Sequence, residues 1–146
     1  MCEQRAVSSH RLWRVAAGLA CALLLVACHR VPQVAQPPSR GSRLYTAHCL
    51  SCHQAQGQGV SGIQPPLAGT PVPNGDPEVL LAWVMFCVRP TVLPAGHYAG
   101  VMPQFNYLSD ADLAAILSYV RSSFGNQSSV ITVEQVASVR SRQAAR

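Results

Sequence analysis

The sequence contains no lysine, and charged residues make up only 12% of its 146 residues. Every fixed cation is therefore an arginine, and the arginines are not gathered into a basic stripe with interleaved aromatic residues. Nucleic-acid-binding surfaces have such stripes, so we expect no nucleic-acid partner. No internal repeat is evident. With 49% hydrophobic residues, a chain of this length has room for one packed domain with short extensions.

The first 27 residues have the pattern of a signal peptide. Arg5, Arg11 and Arg14 precede an uncharged apolar run from Val15 to Ala27, which matches the positive and apolar regions of exported proteins. The run is shorter than the roughly 20 residues that a membrane-spanning helix needs. We therefore predict a signal peptide over residues 1–27, with a buried or membrane-spanning helix as the alternative.

The end of this segment, Leu25-Val26-Ala27-Cys28, resembles the lipobox of bacterial lipoproteins. The resemblance implies that Cys28 becomes the new N-terminus and carries a diacylglyceryl group. Two or three acyl chains hold a protein on a bilayer far more firmly than one. Residues 28–40 are rich in proline, which fixes the backbone and donates no hydrogen bond, so we predict an extended tether. We expect an extracytoplasmic protein anchored to a bacterial membrane; the alternative is ordinary secretion with a free Cys28 thiol.

The run Cys49-Leu50-Ser51-Cys52-His53 is a C-x-x-C-H motif. Two thiols three residues apart share one face of a helical turn, within reach of both vinyl groups of one haem, and His53 follows as an iron ligand. The motif therefore predicts one covalently attached haem c. A thioredoxin-like dithiol would follow a strand, which nothing before Gly41 predicts. A zinc site would need a second ligand pair at partner spacing.

From this point the chain resembles the class I cytochromes c over residues 41–140. The resemblance rests on four stretches: G-S-R-L-Y-T-A-H-C-L-S-C-H, P-P-L-A-G, V-M-P-Q-F and L-S-D-A-D-L-A-A-I-L-S-Y-V-R-S-S-F-G-N. It implies an all-α fold wrapped around one haem, with the last helix of the domain packed across the first. We assign residues 41–126 to this domain and residues 127–146 to a C-terminal helical extension.

The resemblance also implies that Met102 is the second axial ligand of the haem iron. Met102 precedes Pro103, and a residue before proline is disfavoured in helices, so we place Met102 in a loop facing His53 across the iron. Met85 is the rival sulfur, but it lies in an apolar segment and is expected in the core. His97 is the rival nitrogen, expected as an exposed loop residue.

The stretch P-P-L-A-G looks like the family loop whose proline carbonyl accepts a hydrogen bond from the ligand histidine. By this match Pro65 is that partner, because ligating histidines are oriented by their second ring nitrogen, and Leu67 packs on the haem. Arg89 and Tyr98 precede Met102 and are candidates for hydrogen bonds to haem propionates, or are ordinary surface residues.

The coarse pattern of the remaining chain predicts helices joined by loops. We expect one helix over residues 42–53, a loop rich in glycine and proline over residues 54–75, and further helices beginning after Asp76, Ser109 and Thr132. Gly125-Asn126 is expected to end the helix that begins after Ser109, as a left-handed cap. Cys87 is expected to be a buried, inert thiol, with a contact or disulfide to a partner subunit as the alternative. We expect Arg140, Arg142 and Arg146 to form a frayed basic end.

These features predict an electron carrier with both axial positions of the iron filled. Its expected partners are a membrane dehydrogenase, an oxidase or another cytochrome, together with the membrane through the lipid anchor. A haem enzyme or gas sensor with an open or displaceable sixth position is the alternative. A lipoprotein without haem, with a structural or thiol-redox role, is a further one.

Overall fold

The structure, a computed structural model, describes residues 37–93 and 96–145. The predicted signal peptide (1–27), the predicted lipidation site Cys28 and most of the predicted tether therefore lie outside the described residues.

The described residues form helices joined by loops: α1 (Arg40–His48), α2 (Leu50–His53), α3 (Pro71–Asn74), α4 (Pro77–Phe86), α5 (Asp110–Ser122) and α6 (Val133–Ala144). This part of the chain contains no strand beyond an isolated bridge between Val60 and Gln64. The predicted all-α fold is confirmed. Within the described ranges, no helix combines the length and the apolar character that crossing a bilayer requires.

Three helices begin where local sequence signals predicted. Asp76, Ser109 and Thr132 are the N-caps of α4, α5 and α6. The side-chain oxygen of each accepts a hydrogen bond from a backbone N–H in the first helical turn, at 2.8, 3.1 and 3.3 Å. Such caps satisfy amide groups that the helix itself leaves unpaired.

Two features of the backbone differ from the expectation. The helix predicted over residues 42–53 is interrupted at Cys49, where φ is −121°, although the amide of His53 still donates to the carbonyl of Cys49 at 2.9 Å. The loop predicted over residues 54–75 contains the short helix α3, which has a proline at its first position. Proline is favoured there because its missing N–H would have no helical partner.

Helix α1 packs against α5, as the family resemblance implied. Gly41 is buried at their contact, and a Cβ at this position would lie 2.7 Å from the Cβ of Tyr119. This is well inside the normal separation of carbon atoms, so glycine permits the close approach. One turn later, the buried ring of Tyr45 lies 5.5 Å from that of Tyr119 and 5.2 Å from that of Phe124.

Helix α6 packs against α4 and α5 and buries Val136 and Val139. The expectation of a frayed basic end is wrong for the described residues of this segment. Arg140 donates to Asp110 at 2.8 Å and also to two carbonyls of the segment that precedes α5. Arg142 pairs with the carboxylate of Glu78 in α4 at 2.9 Å, so both arginines join α6 to the rest of the domain.

Candidate functional site

A pocket of about 170 Å³, partly open to solvent, lies between the chain that follows α1 and helices α4 and α5. Most of its described lining residues are proline, valine or leucine, and none of them is Asp, Glu, Lys or Arg. The residues predicted for the site that line it are Cys49, His53, Pro65, Leu67 and Met102. Apolar walls with a few polar groups are typical of cofactor pockets.

Cys52 is the predicted site residue that is not part of this lining. It is half-buried in α2, next to His53. Its amide donates to the carbonyl of Cys49 at 3.2 Å, so the turn between the two cysteines is helical. Residues three apart on a helical turn share a face, so the two thiols lie on the same side of this turn, with Cys49 at the pocket.

One ring nitrogen of His53 is hydrogen-bonded to the protein backbone. The side chain is 6% exposed, and its Nδ1 lies 3.0 Å from the carbonyl oxygen of Pro65. Since a carbonyl only accepts hydrogen bonds, Nδ1 carries the proton and Nε2 keeps its lone pair. Burial lowers the pKa of His53, against the opposing effect of the Pro65 hydrogen bond, so the neutral imidazole is favoured.

A buried tyrosine supports the end of α2. The chain leaves the helix at Gln54, where φ is 62°, and the hydroxyl of Tyr45 donates to the Gln54 carbonyl at 2.7 Å. Burial and the nearby Cys49 thiol raise the pKa of Tyr45 far above its usual range, so the hydroxyl stays protonated and remains a donor. This bond fixes the backbone directly after His53.

The loop that carries Pro65 folds back onto the chain after α2. The amide of Leu67 donates to the carbonyl of Gly57 at 2.6 Å, and the amide of Gly59 donates to that of His53 at 3.0 Å. Gly59 has a φ of 65°, and a Cβ there would lie 2.7 Å from the Pro65 oxygen. A larger residue at position 59 would therefore push against the carbonyl that accepts from His53.

Asn126 connects this loop to α5 and α3. The sequence pattern predicted it as part of a left-handed helix cap; instead the positive φ angles fall on Phe124 and Gly125, and the Asn126 side chain is buried. Its amide nitrogen donates to the carbonyls of Leu67 at 3.1 Å and Val120 at 2.8 Å. Its oxygen accepts from two further groups, one of them the amide of Gly69, at 2.8 and 2.7 Å.

We expect Asn126→Leu to lower the free energy of unfolding by about 2–4 kcal/mol, because an isosteric apolar side chain leaves several buried polar groups unpaired at about 1–3 kcal/mol each. Denaturant unfolding followed by far-UV circular dichroism measures the change. Asn106→Leu is the matched control, since Asn106 is exposed and its replacement is expected to cost less than about 0.5 kcal/mol. Equal losses in the two variants would contradict the role assigned to Asn126.

Met102 reaches the pocket from a loop that is bound to the end of α4. The amide of Phe105 donates to the carbonyl of Val84 at 3.0 Å, and the Cys87 thiol donates to the carbonyl of Met102 at 3.3 Å. Cys87 is half-buried rather than fully buried, and it ends α4 in the left-handed conformation. No sequence pattern indicated its contact with Met102, because the two residues meet only through tertiary packing.

The two alternative iron ligands, Met85 and His97, do not line the pocket. Met85 is completely buried in the core and does not line the pocket. His97 is exposed and contacts the ring of Tyr98, with 4.8 Å between ring centroids. Of the two candidates for propionate binding, Tyr98 lines the pocket, whereas Arg89 is exposed and lies 5.9 Å from the ring centre of Trp83.

The Cys49 thiol does not have the properties of a redox-active cysteine. Burial, followed by the proximity of Cys52, raises its pKa to about 12, whereas reactive thiols in Cys-x-x-Cys motifs have a lowered pKa. Across the described residues, no three or more His, Cys, Asp or Glu side chains are grouped as a metal ion would require. The apolar pocket beside a neutral histidine fits a porphyrin better than either a dithiol centre or a zinc site.

Comparisons with known proteins are consistent with a porphyrin in this pocket. A family model described as "Cytochrome c" matches residues 38–124. The chain is 32% identical over 112 residues to cytochrome c-552 of Thermus thermophilus, and the alignment covers 70% of this chain and 85% of that protein.

Two further relatives are much longer than the matched region. The chain is 37% identical over 90 residues to the cytochrome c subunit of alcohol dehydrogenase (quinone) of Gluconobacter oxydans, covering 59% of this chain and 18% of that subunit. It is 34% identical over 108 residues to the fructose dehydrogenase cytochrome subunit of Gluconobacter japonicus, covering 68% of this chain and 22% of that subunit.

Proposed function

Because the chain belongs to the cytochrome c family, we propose that it moves single electrons through one haem c held in the pocket beside His53. The protein is an electron carrier rather than an enzyme, and its cofactor is covalently bound haem c. The bound iron supplies the redox chemistry by alternating between Fe(III) and Fe(II). The residues of this chain attach, orient and enclose that group.

Covalent attachment is assigned to Cys49 and Cys52. Both thiols lie on the one helical turn that ends at His53, and Cys49 faces into the apolar pocket. Thioether bonds at these two positions would hold the porphyrin against the walls that Leu67 and the residues of α4 and α5 provide. Before haem is attached, burial raises the pKa of the Cys49 thiol and keeps it protonated at neutral pH.

The geometry of His53 is the observation that carries the proposal. One ring nitrogen is fixed on the Pro65 carbonyl, which sets the tautomer and leaves the other nitrogen unprotonated beside the pocket. Metal-ligating histidines are held in this way, and the hydrogen bond also makes them stronger donors to the metal. We assign His53 as the first axial ligand and Pro65 as its orienting partner.

Met102 is assigned as the second axial ligand. Its side chain lines the same pocket as His53, and its backbone carbonyl accepts a hydrogen bond from the Cys87 thiol. A methionine sulfur favours reduced iron and so raises the reduction potential of a haem. With His53 and Met102 both bound to the iron, small molecules would be kept off it, as an electron carrier requires.

Electrons are proposed to pass to or from a membrane dehydrogenase, an oxidase or another cytochrome. The support comes from the relatives that are cytochrome subunits of alcohol, fructose and gluconate dehydrogenases. A lipid on Cys28 and an extended tether over residues 28–40 would keep the domain on the outer side of a bacterial membrane while it reaches such partners.

The lipid anchor is tested with a Cys28→Ser variant. We expect this variant to lose the radioactive lipid label that the native protein takes up.

Visible spectroscopy tests the proposed function. The purified protein is expected to give a c-type pyridine haemochrome, a reversible one-electron titration and, when oxidised, the weak near-infrared band of sulfur bound to iron. Reduced protein is expected not to bind carbon monoxide over minutes. Rapid and complete binding would instead identify the alternative, a haem enzyme or gas sensor with an open sixth position, and absence of the c-type band would refute both.

A further inference from the structure

Met102 lies in a stretch of loop whose backbone is tied to the rest of the domain only at its two ends. Residues 101–104 form no helix or strand, and none of them makes a backbone hydrogen bond to the backbone of another described residue. The nearest such bonds flank the stretch, with the amides of Gly100 and Phe105 as donors at 2.8 and 3.0 Å. Side-chain hydrogen bonds to this stretch therefore contribute to fixing the position of Met102.

The thiol of Cys87 contacts the backbone of Met102 itself. Its Sγ donates to the Met102 carbonyl at 3.3 Å, although the two residues are 15 positions apart in the chain. Nearby, the side-chain amide of Gln104 donates to the carbonyl of Phe86 at 3.4 Å. Both bonds join the loop to the end of α4, and the bond from Cys87 acts on the residue assigned to the iron. Thiols are weak donors, so this bond is a modest restraint.

The backbone of Cys87 adopts a conformation that is unfavourable for a residue with a side chain. Cys87 ends α4 with φ 57° and ψ 30°, in the left-handed region, where glycine is the usual residue because it has no Cβ. The amide of Cys87 donates to the carbonyl of Trp83 at 2.9 Å, a bond that glycine would make equally well. The end of the helix therefore does not by itself require a cysteine. Backbone strain of this kind is found more often at functional sites than elsewhere.

We propose that Cys87 is a positioning residue for the sixth ligand of the iron: its thiol holds the Met102 carbonyl and thereby keeps the Met102 sulfur on the metal. The proposal rests on the proposed electron-transfer function and assigns one more residue to it. The left-handed turn at the end of α4 places the thiol against the loop, and the hydrogen bond opposes movement of the loop away from the pocket. Without this bond, Met102 leaves the iron more often and small ligands reach the open position.

The test compares three substitutions at position 87. Cys87→Ser keeps a hydrogen-bond donor of similar size, Cys87→Ala removes the donor but keeps the backbone strain, and Cys87→Gly removes both. Each oxidised protein is mixed with excess imidazole, which binds the iron only after Met102 has left it, and loss of the near-infrared sulfur band gives the rate. We expect the Ala and Gly variants to react about three- to tenfold faster than the native protein, the effect of one weak hydrogen bond. The Ser variant is expected to stay within about twofold of the native rate.

The Cys87→Gly variant separates positioning from general stability. Glycine relieves the strain of the left-handed conformation, so this variant is expected to have a higher thermal unfolding midpoint than Cys87→Ala. If release of Met102 merely followed the stability of the fold, the Gly variant would bind imidazole more slowly than the Ala variant. We expect the two variants to bind it at equal rates, because both lack the thiol.

Val88→Ala is the matched control, because Val88 is the next residue in the chain and its side chain is 47% exposed. This variant is expected to bind imidazole within about twofold of the native rate. Native rates in the Ala and Gly variants, or a Ser variant as fast as the Ala variant, would refute the role of Cys87 while the electron-transfer function stands. Failure of the proposed function looks different, since the native protein would then lack a reversible haem c. A native protein with haem c but no sulfur band would overturn the Met102 assignment together with this role.

Discussion

A variant with both Cys49→Ser and Cys52→Ser is expected to be recovered without covalently bound haem from cells that have haem-attachment machinery. The serine hydroxyl is close in size to the thiol but forms no thioether with a vinyl group, so the change removes attachment with little effect on packing. Intact-mass spectrometry is expected to give the mass of the polypeptide with any lipid, and no haem. The pyridine haemochrome of the denatured variant is expected to vanish.

The matched control is Cys87→Ser, which removes the third described cysteine. This thiol lies at the end of α4, where it donates to the Met102 carbonyl, and we assign it no bond to haem. The control is expected to keep the haem mass and the c-type spectrum of the native protein. Retention of haem by the double variant after denaturation would contradict the assignment of both thioether positions.

Met102→Ala is expected to lower the reduction potential by on the order of 100 mV, a modest part of the roughly 0.8 V range over which axial ligands tune haem iron. The sulfur ligand that favours Fe(II) is removed, and the sixth position opens to water or an added ligand. Redox titration measures the shift. The near-infrared sulfur band is expected to disappear, and the reduced variant is expected to bind carbon monoxide rapidly.

Met85→Leu is the control for this prediction, because it removes the fully buried methionine of the core. Core substitutions between apolar side chains of similar volume lower the free energy of unfolding by less than about 1.5 kcal/mol. We therefore expect the fold to persist and the sulfur band to remain. Loss of the band in the Met85 variant, with retention in the Met102 variant, would show that the two sulfurs had been assigned in reverse.

Features encoded over a few neighbouring residues were predictable from the sequence. The N-caps at Asp76, Ser109 and Thr132 were predicted because a capping side chain acts on amides within its own first turn. The all-α fold followed from the family resemblance and from helical spacing of apolar residues. The haem attachment motif is equally local, since it lies within one turn of chain.

Features that depend on distant contacts were not predictable in the same way. Asn126 was interpreted as a helix cap, because nothing in its neighbours indicates the carbonyl of Leu67 that its side chain reaches. Arg140 was expected at a frayed end, because its partner Asp110 belongs to another helix. In both cases a long-range hydrogen bond overrides the local preference, and a single sequence contains no record of such a pair.

Helix α6 contributes to the folded domain although it lies beyond the end of the family match. The family match ends at residue 124, yet Val136 is completely buried and Arg140 ties α6 to the residues at the start of α5. A recombinant fragment cut at the family boundary would expose the apolar sides of α4 and α5 to water and would lack the asparagine that secures the Pro65 loop. We therefore expect a stable fragment of this protein to need the chain up to the end of α6, some twenty residues beyond the end of the family match.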